Sequence, residues 1–130
     1  MQRCLFFGCV AGFFLLMMAT CGRNTTPMPT VLSGTWIEVS GRGDTLIFKP
    51  EVLEVRRGFE IRNGLRLPKM GSGLWSYQVG EKYQMEVRPA LSSSTKTQTA
   101  YAELKDNVLY VSNFYESENT KYELRAFNRK

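Results

Sequence analysis

The pattern that most restricts the fold of this chain is the alternation of apolar and polar residues in short segments after residue 31. Tyr83, Met85 and Val87 occupy every second position, with the polar residues Gln84 and Glu86 between them. Side chains on a β-strand point alternately to opposite faces of the sheet, so this spacing predicts strands with one buried and one solvated face. No stretch after residue 31 repeats apolar residues at intervals of three and four, so we expect no helix there.

Eight strands are expected, most of them joined by short turns. They cover residues 34–39, 45–48, 52–57, 74–79, 82–88, 98–105, 108–115 and 121–127. Asp106-Asn107 is typical of a two-residue hairpin turn. Closing eight antiparallel strands into a barrel removes the exposed edges that an open sheet would present. The sequence therefore predicts an all-β fold, namely an eight-stranded antiparallel up-and-down barrel.

One connection is much longer than the others. Residues 58–73 combine cationic side chains with Phe59, Leu65 and Leu67, and Asn63-Gly64 marks a turn inside the segment. We expect a loop that forms a lid over one end of the barrel. A loop that packs over the barrel bottom is the alternative.

The first twenty residues have the pattern of a leader that is absent from the mature protein. Arg3 is followed by residues 4–19, which carry no charge and are almost wholly apolar, a length that suits a signal peptide and is short for a membrane span. The stretch from Met18 to Cys21 resembles a bacterial lipobox, although Thr20 is larger than the residue usual before the cysteine. This resemblance implies a diacylglyceryl group on Cys21, and the alternatives are an ordinary secretory signal or an uncleaved anchor.

The leader sets the expected domain organisation and location. We expect a lipoprotein signal peptide over 1–20, a lipidated N-terminus and tether over 21–31, and the barrel over 32–130. Of the three cysteines only Cys21 would remain, so the folded domain would have no disulfide. The expected location is the bacterial cell envelope, anchored to a membrane by acyl chains, with the periplasmic face of the outer membrane favoured because no acidic cluster follows Cys21.

The opening of the first strand, Gly34-Thr35-Trp36, resembles the start of the lipocalin superfamily and of its small bacterial lipocalin-like lipoproteins. The turn and strand at 107–111 and the ending at 122–129 extend the resemblance to residues 32–130. It implies that Trp36 closes one end of the barrel and that a basic residue, Arg125 or Arg129, packs over the indole ring. Such a cation–π contact contributes about 0.5 to 2 kcal/mol.

Several kinds of chemistry have no support in the composition. The chain has no histidine, which leaves the usual nucleophile–base pairs and most zinc or copper sites without a ligand or base. The twelve acidic residues show no spacing that selects a catalytic pair, and no glycine-rich loop opens a helix. We therefore expect a protein that is not an enzyme, with no metal, no cofactor and no nucleic-acid partner, and one that is monomeric.

Binding is the remaining class of function, and it has two versions. An eight-stranded barrel is just wide enough to be filled by side chains or to hold one small ligand. The side chains expected to point inward are Trp36, Phe48, Trp75, Tyr77, Tyr83, Met85, Tyr110 and Phe114, with Tyr122, Leu124 and Ala126 on the apolar face of the last strand. The first hypothesis is a small apolar or amphipathic ligand in or at the mouth of the barrel, contacted by Trp75, Tyr77, Tyr83, Met85, Phe59, Leu65 and Leu67. The second is a protein-interaction or inhibitor barrel, similar to the small lysozyme inhibitors, with a filled interior and a loop at 62–69 or 92–97 that binds an envelope protein.

Overall fold

The computed structural model describes residues 32–81 and 83–130. Within these ranges the chain forms ten strands and no α-helix. They are β1 (Gly34–Glu38), β2 (Thr45–Phe48), β3 (Val52–Arg56), β4 (Phe59–Arg62), β5 (Leu65–Pro68), β6 (Gly73–Val79), β7 (Gln84–Pro89), β8 (Gln98–Lys105), β9 (Val108–Ser112) and β10 (Leu124–Arg129). No helix in the described part of the chain is long and apolar enough to cross a membrane. The leader, the tether and the lipidation predicted at Cys21 lie outside the described residues.

Eight of the strands form a closed antiparallel barrel in the order β1-β10-β9-β8-β7-β6-β3-β2, which confirms the predicted fold class. β1 and β10 complete the circle, with Trp36 paired opposite Arg129 and Glu38 opposite Phe127. Each strand of the barrel pairs with its neighbours along the chain, except that β3 pairs with β6 across the intervening hairpin. Asp106 and Asn107 both have positive φ, as a type I′ hairpin turn requires.

The segment between β3 and β6 is a second, two-stranded sheet, so the prediction of a loop over 58–73 was wrong. β4 and β5 pair antiparallel around Asn63 and Gly64, whose φ angles of 53° and 76° again fit a type I′ turn. The amide of Lys69 donates to the carbonyl of Gly58 and extends the ladder to the base of the hairpin.

The interior of the barrel is filled by one cluster of buried apolar side chains. Its members are Leu32, Trp36, Leu46, Phe48, Leu53, Val55, Trp75, Met85, Val87, Ala100, Leu109, Val111, Tyr115 and Phe127. Tyr77 packs against this cluster with its ring edge-on to Phe48, at 5.4 Å between centroids. Among the aromatic residues predicted to point inward, Trp36, Phe48, Trp75 and Tyr77 therefore do so, and Phe114 packs against the same cluster while partly buried.

Two residues predicted to point inward lie on the outside instead. Tyr83 precedes β7, has a φ of 63° and is exposed, with its ring against Tyr101. Tyr110 lies between Leu109 and Val111, which are both fully buried, so the alternation along β9 turns Tyr110 outward. A turn in the left-handed conformation before β7 explains why Tyr83 does not continue the pattern of Met85 and Val87.

The faces of the last strand were also assigned wrongly. β10 begins at Leu124 rather than at residue 121, and its buried residues are Arg125 and Phe127. Tyr122 and Leu124 are exposed. The prediction placed apolar residues inside and charged residues outside, and it failed because Arg125 is an inward-pointing charge.

One end of the barrel, which we call the closed end, is sealed by Trp36. The indole Nε1 of Trp36 donates to the carbonyl of Leu32 at 2.9 Å, and the guanidinium of Arg129 lies 4.6 Å from the centre of the indole ring. Arg129 also donates to the carbonyl of Ser33. Of the two arginines considered for this contact, the structure therefore selects Arg129.

Candidate functional site

The antiparallel order brings the longer connections together at the other end of the barrel, which we call the mouth. They span residues 39–44, 57–72, 90–97 and 113–123, whereas the closed end has the short connections 49–51, 80–83 and 106–107. Binding residues are often carried by loops that a rigid scaffold positions. The mouth is therefore the place to look for a site.

A cluster of charged side chains lies inside the mouth, which we call the charged cluster: Glu38, Asp44, Arg57, Glu116 and Arg125. Arg125 occupies its centre, with its Nη2 3.4 Å from Glu116 Oε1 and 3.0 Å from Glu123 Oε2, and its Nη1 4.0 Å from Glu38 Oε1. The Arg125 side chain is only 7% exposed. Buried charges are costly unless they are paired, and here arginines and carboxylates from distant parts of the chain compensate one another.

Arg57 joins the charged cluster to the hairpin. Its Nε lies 3.5 Å from Asp44 Oδ2 and its Nη2 3.4 Å from Glu116 Oε1, while Nη1 donates to the carbonyl of Met70 at 2.6 Å. The guanidinium also lies 5.3 Å from the centre of the Tyr115 ring. One side chain thus fixes the exit of the hairpin relative to the floor of the mouth.

The pKa values of the two carboxyls that flank Arg57 are shifted in opposite directions. Burial raises the pKa of Asp44 above its ordinary value, even though the nearby Arg57 opposes this. Burial would also raise the pKa of Glu116, but the hydrogen bond from Asn113 and the charges of Arg125, Arg57 and Arg42 outweigh it and lower that pKa. Glu116 is therefore the carboxylate that the surrounding donors hold ionised.

Several polar atoms in this region are buried and have no hydrogen-bond partner among the described residues. They are Glu38 Oε2, Asp44 Oδ2, Arg57 Nε, Arg125 Nε and the hydroxyls of Ser72 and Tyr115. Asp44 Oδ2 and Arg57 Nε nevertheless form an ion pair with each other, at the limit of hydrogen-bonding distance. The other four atoms are buried without a hydrogen-bond partner among the described residues, which is uncommon for buried polar groups.

A cleft of about 490 Å³ opens at the mouth over this region. Its apolar lining includes Met70, Trp75, Leu91 and Phe114, and Tyr115 and Glu116 also line it. Trp75 and Phe114 pack edge to face with centroids 5.1 Å apart, and Phe114 packs in the same way on Tyr115. Clefts of roughly 300 to 1,000 Å³ with an apolar lining and a few polar groups commonly bind small molecules.

Gly71 allows the wall of the cleft to close against its floor. Its φ of 83° is left-handed, and a β-carbon there would lie 1.6 Å from the carbonyl oxygen of Tyr115. The carbonyl of Gly71 accepts a hydrogen bond from Nε1 of Trp75 at 3.0 Å. A residue without a side chain therefore holds both Trp75 and the 113–116 segment in place.

The structure places only one of the predicted ligand contacts in this cleft, namely Trp75. Tyr77 and Met85 are inside the barrel, and the hydroxyl of Tyr77 donates to the carbonyl of Lys49. Tyr83 lies on the outer surface, and Phe59, Leu65 and Leu67 are exposed on the hairpin.

Sequence reasoning did not select Tyr115, Glu116 or the other carboxylates and Arg57 of the charged cluster, and it considered Arg125 only for the contact with Trp36. A signal was available in the number of charged residues beside strand ends, at Glu38, Asp44, Arg57 and Arg125. Their mutual pairing depends on the closure of the barrel, which no local pattern reports. Within the described residues, no group of three or more aspartate, glutamate, cysteine or histidine side chains is arranged to hold a metal ion.

Comparisons of the chain with protein families, with characterised proteins and with solved structures found no match.

Proposed function

We propose that this chain is a lipocalin-like lipoprotein of the bacterial envelope that binds one small amphipathic molecule at the mouth of its barrel, without catalysing a reaction. The observation that carries the proposal is the mouth cleft, whose lining combines the aromatic rings of Trp75 and Phe114 with polar residues, among them Ser72, Ser92 and Gln98. An amphipathic ligand meets both kinds of lining at once.

The charges around the cleft limit the polar group of the ligand. Glu116 already faces Arg42, Arg57 and Arg125, and its second oxygen accepts from Asn113. A charged ligand would have to break these pairs, and leaving a buried charge without its partner is expensive. A neutral group that donates and accepts hydrogen bonds, such as a hydroxyl or an amide, pairs with Ser92 or Gln98 in the lining of the cleft without that cost.

The filled interior supports a ligand site at the mouth rather than inside the barrel. Leu53, Met85, Leu109 and Val111 are completely or almost completely buried against one another in the centre. A ligand of any size could enter there only by displacing these side chains, and close-packed interiors resist such displacement. The aliphatic part of the ligand therefore lies against Met70, Leu91 and Phe114.

Two sequence features support the envelope and lipocalin-like parts of the proposal. The leader ends in a lipobox-like stretch at Cys21, and acyl chains there would attach the protein to a membrane. The pairing of Trp36 with Arg129 at the closed end matches what the lipocalin resemblance implies.

Trp75 provides a direct test of binding. In a Trp36→Phe variant, Trp75 is the only tryptophan left, because the chain has two. We expect its fluorescence to change saturably with a long-chain alcohol or a monoacylglycerol, and less with the corresponding fatty acid anion. Phe114→Ala should weaken this response, whereas Tyr110→Ala, on the outer face of β9, should not. A response that is absent for every probe would contradict the proposal.

A protein-binding barrel is the second candidate. It is favoured by the filled interior and by Leu91 in the 90–97 connection, which is 92% exposed. A photoreactive residue at position 91 should then crosslink one envelope protein in a one-to-one complex, and the same residue at position 51 of the closed end should not. Equal crosslinking at both positions would count against this function.

A further inference from the structure

The β4–β5 hairpin exposes a concentration of apolar side chains that the barrel does not cover. Phe59, Ile61, Leu65, Leu67 and Met70 are between 39% and 71% exposed, in a segment of twelve residues. Scattered exposed apolar residues are normal on protein surfaces, but a contiguous group of this kind marks an interaction site.

The apolar residues lie on both faces of the hairpin. Phe59 pairs opposite Pro68 and Ile61 opposite Arg66, so Phe59 and Ile61 share one face. Glu60 pairs opposite Leu67 and Arg62 opposite Leu65, which places Leu65 and Leu67 on the other face.

The first of these faces is turned toward the barrel but is not packed on it. A groove of about 530 Å³ separates the two, lined by Phe59 and Pro68 on the hairpin and by Val55 and Leu74 on the barrel. Near the turn, Ile61 on this face and Leu65 on the other are 71% and 63% exposed, so both faces are open at the tip of the hairpin.

The hairpin is also positively charged. The hairpin and its exit carry three cationic side chains, Arg62, Arg66 and Lys69, and a single carboxylate, Glu60. Glu60 pairs with Arg62. The guanidinium of Arg66 lies 4.3 Å from the centre of the Phe59 ring, so a cation and an aromatic ring sit side by side on one face. Interfacial membrane segments combine cationic and apolar side chains in this way, because the first meet anionic headgroups and the second enter the acyl boundary.

We propose that the hairpin inserts its apolar tip into the interface of an anionic phospholipid bilayer. A protein partner or a second copy of this chain would cover one face of the hairpin, whereas a bilayer interface surrounds both. The distribution of Ile61 and Leu65 on opposite faces beside the turn favours the bilayer, and the excess of arginine and lysine favours anionic lipid. The tip residues Ile61 and Leu65 do not line the cleft, although Met70 at the base of the hairpin does.

The base of the hairpin is rigid enough to fix the orientation of the barrel on the membrane. Arg57 Nη1 holds the carbonyl of Met70, and the amide of Lys69 donates to Gly58. Because the hairpin projects from the mouth, insertion brings the mouth cleft close to the lipid surface.

Fluorescence depth measurements on the full-length chain in vesicles test the proposal. The fluorescence emission of a tryptophan at position 61 (Ile61→Trp) should shift to shorter wavelength in phosphatidylcholine–phosphatidylglycerol vesicles. Brominated lipids in these vesicles should quench it. Tyr83→Trp is the matched control, because position 83 is exposed at the closed end. Trp36 and Trp75 are buried and give the same background in both variants.

A second set of variants tests whether the positive charge of the hairpin contributes to insertion. Arg62→Gln and Arg66→Gln, introduced into the Ile61→Trp chain, should each lower the ratio of inserted to free hairpin roughly fivefold, and high salt should lower it in the parent. Equal quenching at positions 61 and 83, or quenching that is independent of charge and salt, would overturn the proposal. A blue-shifted position 61 in a dimer without lipid would overturn it in favour of a second copy. None of these results depends on ligand binding in the cleft.

Discussion

Gly71 and the carbonyl of Tyr115 are in such close approach that a β-carbon at residue 71 would stand 1.6 Å from the oxygen. No real β-carbon tolerates that distance, so the exit of the hairpin is packed directly on the backbone of the 113–116 segment. The charged cluster and the cleft wall both depend on this contact, since Arg57 and Trp75 hydrogen-bond to the carbonyls of Met70 and Gly71.

Gly71→Ala is expected to destabilise the protein much more than Gly64→Ala does. Both glycines have positive φ, 83° and 76°, so both substitutions add the strain of a left-handed alanine, about 1 to 2 kcal/mol. Only position 71 adds a collision with backbone, which costs roughly a further 1 to 3 kcal/mol. Urea unfolding of the two variants measures the difference, and equal losses would contradict the close approach.

The arginine over Trp36 is expected to stabilise the barrel, and the arginine over Phe59 is not. Arg129→Leu should lower the free energy of unfolding by about 0.5 to 1 kcal/mol through the loss of its contact with the buried indole. Arg66→Leu removes a similar contact on the exposed hairpin, outside the barrel. Chemical denaturation followed by circular dichroism compares them, and a larger effect at position 66 would contradict the assignment of Trp36 as the closure of the barrel.

Glu116→Gln should lower the free energy of unfolding near neutral pH, and this loss should become smaller as the pH falls. The pKa of Glu116 is lowered in the folded state, so the carboxylate contributes stability above its ordinary pKa of 4.5 and loses it as the pH falls through the lower folded value. Because the side chain is 5% exposed and faces three arginines, the loss near neutral pH should be roughly 3 to 5 kcal/mol. Unfolding measured as a function of pH should show the two proteins converging at acid pH.

Asp44→Asn is the control, because the contribution of Asp44 to the free energy of unfolding should change with pH in the opposite direction. Burial raises the pKa of Asp44 above 3.8, so protonation of Asp44 favours the folded state. The free energy of unfolding of the wild type should therefore rise relative to that of the variant as the pH falls. Parallel pH profiles for the wild type and both variants would contradict the described electrostatics of the mouth.

Tyr115→Phe should reduce neither the stability of the protein nor its binding of an amphiphile. The Tyr115 hydroxyl is buried without a partner among the described residues, so its removal should leave the stability unchanged or raise it by up to about 1 kcal/mol. The same change should leave the binding of a hydroxyl-bearing amphiphile unchanged, because the Tyr115 hydroxyl is buried below the surface of the cleft. Tyr77→Phe is the matched control, since it removes a made hydrogen bond to Lys49 at 2.6 Å and should cost about 1 kcal/mol without affecting binding.

The sequence predicts the barrel because strand alternation and turn chemistry are local properties. Met85 and Val87 alternate with polar neighbours, and Asp106-Asn107 adopts the positive φ angles that its residue types favour. Asn63-Gly64 carries the same kind of signal. The hairpin around it was nevertheless missed, because its apolar residues lie on both faces and give no alternation.

The site was missed for a different reason. Arg125 points inward because carboxylates from β1 and from the 113–116 segment meet it there, and those residues are adjacent only after the barrel closes. An assignment of faces by hydrophobicity therefore inverts β10. The outward position of Tyr110 follows from the fully buried Leu109 and Val111 on either side, a choice between two apolar faces that composition alone does not make.

Methionine methyl resonances distinguish a small amphipathic ligand at the mouth of a filled barrel from a ligand in the interior. Met70 lines the cleft, and Met85 is completely buried in the barrel interior. When a chain with labelled methionine methyls is titrated with a monoacylglycerol, we expect a saturable shift of the Met70 resonance and an unchanged Met85 resonance. A shift of Met85 alone, or of neither methyl, would contradict a ligand site at the mouth.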